Sequence, residues 1–78
     1  MAATELLSRI EVNPRVMVGK PVIKGTRIPV ELIINMLAED VPVEEILANY
    51  PGLSKDDIRA ALAYASASLR AEEIRLTA

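Results

Sequence analysis

Catalysis needs reactive side chains in suitable company, and this sequence holds few. It has no histidine and no cysteine. That removes the commonest general base, the thiolate nucleophile and the softer metal ligands together. No histidine is available to activate the hydroxyl of Ser8, Ser54, Ser66 or Ser68. Adjacent carboxylate pairs include Glu44-Glu45, Asp56-Asp57 and Glu72-Glu73. Adjacent helical residues point in different directions, so such a pair does not converge on one atom. The first two pairs also fall where helices are expected to begin, and anions there complement the helix dipole. Gly19 to Gly25 lacks the spacing of a phosphate loop, and no Lys-Ser or Lys-Thr opens a helix after it. The expectation is a protein that is not an enzyme and carries no cofactor or metal.

Binding is the chemistry that remains. The N-terminal third, residues 1–29, holds five cations against two anions, and residues 30–78 hold four against nine. Net charge is −2, so the whole chain does not advertise a nucleic-acid binder, but a local basic face is possible. Arg15, Lys20, Lys24 and Arg27 are candidates for contacts to a phosphate backbone. Lys55 and Arg59, with Ala60 and Ala63, would face a groove if a helix starting near Ser54 read DNA. Asp56 and Asp57 oppose that reading by repelling phosphates. Lys and Arg on short strands can equally serve to discourage edge pairing, and Arg27 could instead pair with Glu31. A second candidate surface is Leu69, Arg70, Glu73, Ile74, Arg75 and Leu76, suited to a protein partner.

Several elements must position these residues. Ala2 to Arg9 suits a brief helix capped by Thr4. Ile10-Glu11-Val12 alternates like a strand, Asn13-Pro14 signals a turn, and Val16-Met17-Val18 reads as a second strand. Pro21-Val22-Ile23 reads as a third, broken at Gly25-Thr26. Residues 10–29 thus form a β-ribbon too short to stand alone. Pro29 suits the start of a helix to about Glu39, with Val30, Ile33, Ile34, Met36 and Leu37 on its apolar face. Pro42 opens a short helix with Val43, Ile46, Leu47 and Tyr50 inward. Tyr50 to Leu53 is a tight connection. Ser54 and Asp57 read as a capping box for a long helix to about Leu76. Its stripe is Ile58, Ala61, Leu62, Ala65 and Leu69. Ile58 to Ala65 is expected to be core, and Leu69 to Leu76 an interface. The fold class is mainly α, a small helix-turn-helix or winged-helix-like domain, with the helix-turn-helix at 43–65 inside a three-helix part at 30–76.

Seventy-eight residues make one domain, spanning 1–78. Such a domain buries only about 60% of its unfolded surface. No cysteine staples it, yet 51% of its residues are hydrophobic and only two are aromatic. Aliphatic-rich domains without staples commonly gain stability by association, so a homodimer, a protein partner or both are expected. Met1 to Ile10 lacks a signal-peptide apolar run, and no stretch approaches a membrane span, so a soluble cytoplasmic protein is expected.

Four stretches together carry a resemblance. They are Ile10 to Pro14, Gly19-Lys20-Pro21-Val22-Ile23-Lys24-Gly25-Thr26-Arg27-Ile28-Pro29-Val30, Ile46 to Pro51, and Asp57 to Ala65. Over roughly Ile10 to Glu72 the chain resembles domain-of-unknown-function family 433. The resemblance implies a winged-helix-like or helix-turn-helix fold and a VapB-like antitoxin. Such antitoxins bind and silence a PIN-like ribonuclease toxin and can repress their own operon at operator DNA. A PIN-like site is a cluster of acidic metal ligands, which Arg70 and Arg75 could block by presenting a cation. The alternatives are a stand-alone dimeric DNA-binding transcriptional regulator and a structural interaction module without a nucleic-acid role.

Overall fold

The computed structural model describes the backbone of residues 3–77 and the side chains of residues 3–72. The described elements are α1 (Ala3–Leu7), β1 (Ile10–Glu11), β2 (Val22–Ile23), α2 (Val30–Ala38), α3 (Val43–Asn49) and α4 (Lys55–Thr77). The chain is mainly helical, with one small antiparallel sheet. Its core gathers Ile23, Val30, Ile33, Ile46, Leu53, Ile58 and Ala61. Each element after α1 contributes an aliphatic side chain to that cluster or packs against it. Association of these side chains, rather than propensity, is what holds helices as short as α3.

The β-ribbon pairs Ile10 with Ile23 and Glu11 with Val22. A bridge between Val22 and Pro29 extends it. Val22 and Ile23 are both buried, so β2 is covered on both faces. The expected strand at Val16 to Val18 does not form. Pairing Glu11 with Val22 forces the intervening loop to close on itself, leaving no partner for a third strand. Asn13 starts the curl, its side-chain Oδ1 accepting from the Arg15 N–H at 2.9 Å and its carbonyl from the Val16 N–H at 2.8 Å. Met17, Val18 and Gly19 then follow at positive φ in one left-handed turn. That conformation strains an L-residue by roughly 1–2 kcal/mol, and a β-branched valine most of all. Thr4, expected as a cap, lies inside α1.

Helix boundaries follow the punctuation in the sequence. Pro29 and Pro42 are the N-caps of α2 and α3, each directly before the first helical residue. Asp40 ends α2 in a left-handed conformation, φ 65°. The Val41 N–H donates to the Met36 carbonyl at 3.0 Å and the Asp40 N–H to the Leu37 carbonyl at 3.1 Å. This is the paired bond of a Schellman motif, with aspartate in the place that usually favours glycine. Ser54 and Asp57 form the expected capping box. The Asp57 N–H donates to the Ser54 hydroxyl at 3.2 Å, and the Ser54 N–H donates to Asp57 Oδ2 at 2.9 Å.

Two expectations on α4 are corrected. Leu62, expected in the core, is 49% exposed, and Ala60, considered for a groove-facing role, is fully buried. The cause is α1, which packs along one flank of α4 while α2 packs on the other. Leu6 of α1 is buried. The buried arc of α4 therefore turns toward Asp57, Ala60 and Ala61, and Leu62 is left between the two flanks.

Candidate functional site

One end of the molecule collects most of the candidate phosphate contacts. The turn after β2 is fixed by Thr26. Its hydroxyl donates to the Ile23 carbonyl at 2.7 Å and accepts from the Ile28 N–H at 3.0 Å. That turn carries Lys24, Gly25 (φ 82°) and Arg27 outward. It sits beside the connection between α3 and α4, where a Cβ placed on Gly52 would lie 4.0 Å from the Thr26 methyl. Lys55 and Arg59 follow directly, both exposed on the first turns of α4. Lys24, Arg27, Lys55 and Arg59 thus share one end. Arg15 and Lys20 lie apart from it, in the loop before β2. Both are exposed, and Lys20 Nζ lies 4.0 Å from Glu31 Oε2. Glu31 therefore pairs with Lys20 and not with Arg27.

The acidic pair at the start of α4 is engaged from within the chain. Arg9 donates to Asp57 Oδ1 at 3.2 Å and lies 3.7 Å from Asp56 Oδ2. Arg59 reaches Asp56 Oδ1 at 3.4 Å. Asp57 is only 7% exposed, with one oxygen held by the cap and the other by Arg9. Its charge is balanced inside the fold, which reduces its repulsion of an approaching anion. Sequence reasoning read the capping box but missed Arg9. The pairing spans 48 positions, and no local signal in the sequence encodes it.

The other candidate surface lies on the second half of α4. Every residue from Ser66 to Glu72 is exposed, while the helix continues to Thr77. Leu69 is 62% exposed. It borders an apolar groove of about 390 Å³ between α2 and α4, walled by Pro21, Val30, Ile34 and Tyr64. Arg70 borders a second groove, against Ala3, Thr4 and Leu7 of α1. The side chains of Glu73, Ile74, Arg75 and Leu76 lie outside the described residues. Among the described residues no group of three or more acidic, histidine or cysteine side chains could hold a metal ion, and no helix is long and apolar enough to cross a membrane.

Comparison with known proteins places this architecture. The uncharacterized protein y4eO of Sinorhizobium fredii is 36% identical over 67 residues, 86% of this chain and 29% of that protein. The chain thus spans less than a third of that relative's length. An uncharacterized protein of Archaeoglobus fulgidus is 68% identical over 25 residues, 32% of this chain and 69% of that one. The crystal structure of a DUF433 member protein from Anabaena variabilis superposes with a TM-score of 0.75 at 32% identity. It covers 96% of this chain and 74% of its own. Residues 10–65, from the first strand through the packed half of α4, match the family described as protein of unknown function DUF433, and the chain belongs to that family.

Proposed function

We propose that this chain is a non-catalytic binding protein, the antitoxin of a type II toxin–antitoxin pair, which neutralises a PIN-like ribonuclease toxin. The observation that carries this reading is the reach of α4 beyond its own core. Its last fully buried described residue is Ala61, and from Ser66 onward the described side chains are exposed while the helix runs to Thr77. Twelve helical residues extend about 18 Å. A helix of that length, presenting Leu69 and Arg70, suits insertion into a groove of another protein. A PIN-like site concentrates carboxylates around a metal ion, and a guanidinium presented there competes with the metal and caps the acidic cluster. Arg70 is the exposed cation on this arm, and the sequence places Arg75 further along it.

The same reading includes operator binding by the basic end, with α3 and α4 acting as a helix-turn-helix. The gathering of Lys24, Arg27, Lys55 and Arg59 supports it. It equally supports the second reading, a stand-alone dimeric DNA-binding regulator. Co-expression with the protein encoded next door, followed by size-exclusion chromatography with light scattering, separates the two. A stable heteromeric complex and relief of toxin-induced growth arrest are expected. Arg70→Glu combined with Arg75→Glu should abolish that relief while leaving the circular dichroism of the chain unchanged. Full neutralisation by the double variant would remove the cation-blocking idea. No complex at all would leave the regulator as the better reading.

A further inference from the structure

Helix α2 buries Val30 and Ile33, and Ile34, Met36 and Leu37 pack beside them on the core. Glu31, Leu32, Asn35, Ala38 and Glu39 share the opposite face, all exposed. Glu31 and Asn35 mark its border with the groove that Leu69 flanks. Leu32 gives the face a large aliphatic side chain, 36% exposed. The two ends of α2 differ in charge. The loop before β2 is fastened to its N-terminal end, where the Val30 N–H donates to the Pro21 carbonyl at 2.9 Å and Lys20 meets Glu31. That loop brings Arg15 and Lys20, both exposed, and carries no anion from Val12 to Pro21. It also holds Val18, 94% exposed, out in water on a left-handed backbone. The C-terminal end of α2 leads to Glu39, Asp40, Glu44 and Glu45, all exposed, and no cation occurs from Val30 to Ser54.

We infer that this face of α2 pairs with the same face of a second copy in the antiparallel sense, about a two-fold axis at Asn35. Charge selects both the occupant and the orientation. The cationic loop at one end of α2 calls for a surface of carboxylates, and this chain presents one at the other end. In a parallel pair Glu39, Asp40, Glu44 and Glu45 would face their own copies with no cation between them. In the antiparallel pair the loop of each copy overlies the α2–α3 corner of the other. Lys20 then sits between Glu31 of its own chain and Glu39 of the other, and Arg15 adds its charge to the same acidic corner. Val18 lies over that corner too, where Pro42 is exposed. Leu32 stands opposite Ala38, a large side chain against a small one, so the backbones can approach closely. The two Asn35 amides meet at the axis, where each can donate to and accept from the other, and a polar pair in a seam fixes its register. The seam uses none of Lys24, Arg27, Lys55, Arg59, Leu69 or Arg70, so it stands whether or not the chain holds a toxin or an operator.

Sedimentation equilibrium and light scattering of the full chain across a concentration series test the inference. The mass expected is twice that of the chain. Glu39→Lys, at the exposed C-cap of α2 where a cation suits the helix dipole, should keep the helical circular dichroism. By setting a cation against Lys20 it should weaken self-association by at least ~10-fold. Lys20→Glu alone should do the same. Mixed together, the two variants regain opposite charges at both ends of the seam and should form a heterodimer. Orientation is read from engineered cysteines in this cysteine-free chain. Leu32→Cys mixed with Ala38→Cys should cross-link faster than either alone, since two copies of one position lie about 9 Å apart along the axis. A monomer throughout the series, which would leave this face to another protein, would overturn the inference. So would a dimer indifferent to both charge changes, or Leu32→Cys chains that cross-link faster alone than in the mixture.

Discussion

Asp57 uses its two carboxylate oxygens for two different purposes. One closes the N-terminus of α4, and the other holds Arg9, which brings the end of α1 against the same helix. Because the carboxylate is nearly buried, its removal leaves the Ser54 N–H and the part-buried Arg9 guanidinium each without this partner, while the Ser54 hydroxyl still caps the helix. Asp57→Ala should cost about 2–3 kcal/mol, combining the loss of the reciprocal half of the capping box with that of a charge-assisted hydrogen bond. Arg9 keeps 36% of its side chain exposed, and solvent screens it, so Arg9→Met should cost less, about 1 kcal/mol. The two changes share one bond, so the double variant should be less destabilised than their sum. Urea titrations of the four proteins give the coupling directly. Additive losses would show that Arg9 and Asp57 do not meet in solution.

At the scale of elements, the sequence was most legible where backbone chemistry leaves little choice. Pro29, Pro42 and the Ser54–Asp57 box start α2, α3 and α4 within a residue of the expected positions. The alternation at Ile10-Glu11 and the turn at Gly25-Thr26 gave the ribbon. What stayed hidden depended on tertiary contacts. Val16 to Val18 has strand-forming residues, but loop closure between Glu11 and Val22 outweighs that preference. Ala60 and Leu62 exchanged places between surface and core because α1 chooses which arc of α4 is buried. A five-residue helix is too short to hold on its own. Here Leu6 is buried and Arg9 is tied down just beyond it. Leu6→Ala should therefore cost about 2–3 kcal/mol, as for a core leucine. Thermal and urea unfolding would check this, and a loss below about 0.5 kcal/mol would mean that α1 is only loosely docked.

For the whole molecule, the proposed operator contact falls at the end that carries the turn of Lys24 and Arg27, which sits beside Gly52 just before the start of α4. That end offers few cations, so one copy alone should bind DNA weakly, and affinity should come from engaging two ends at once. If the chain binds its operator, Lys24→Ala with Arg27→Ala should weaken binding evenly across sequences and flatten its salt dependence. Gel-shift titrations over a salt series check this. An affinity and a salt slope that both ignore the double variant would place DNA contact elsewhere on the chain.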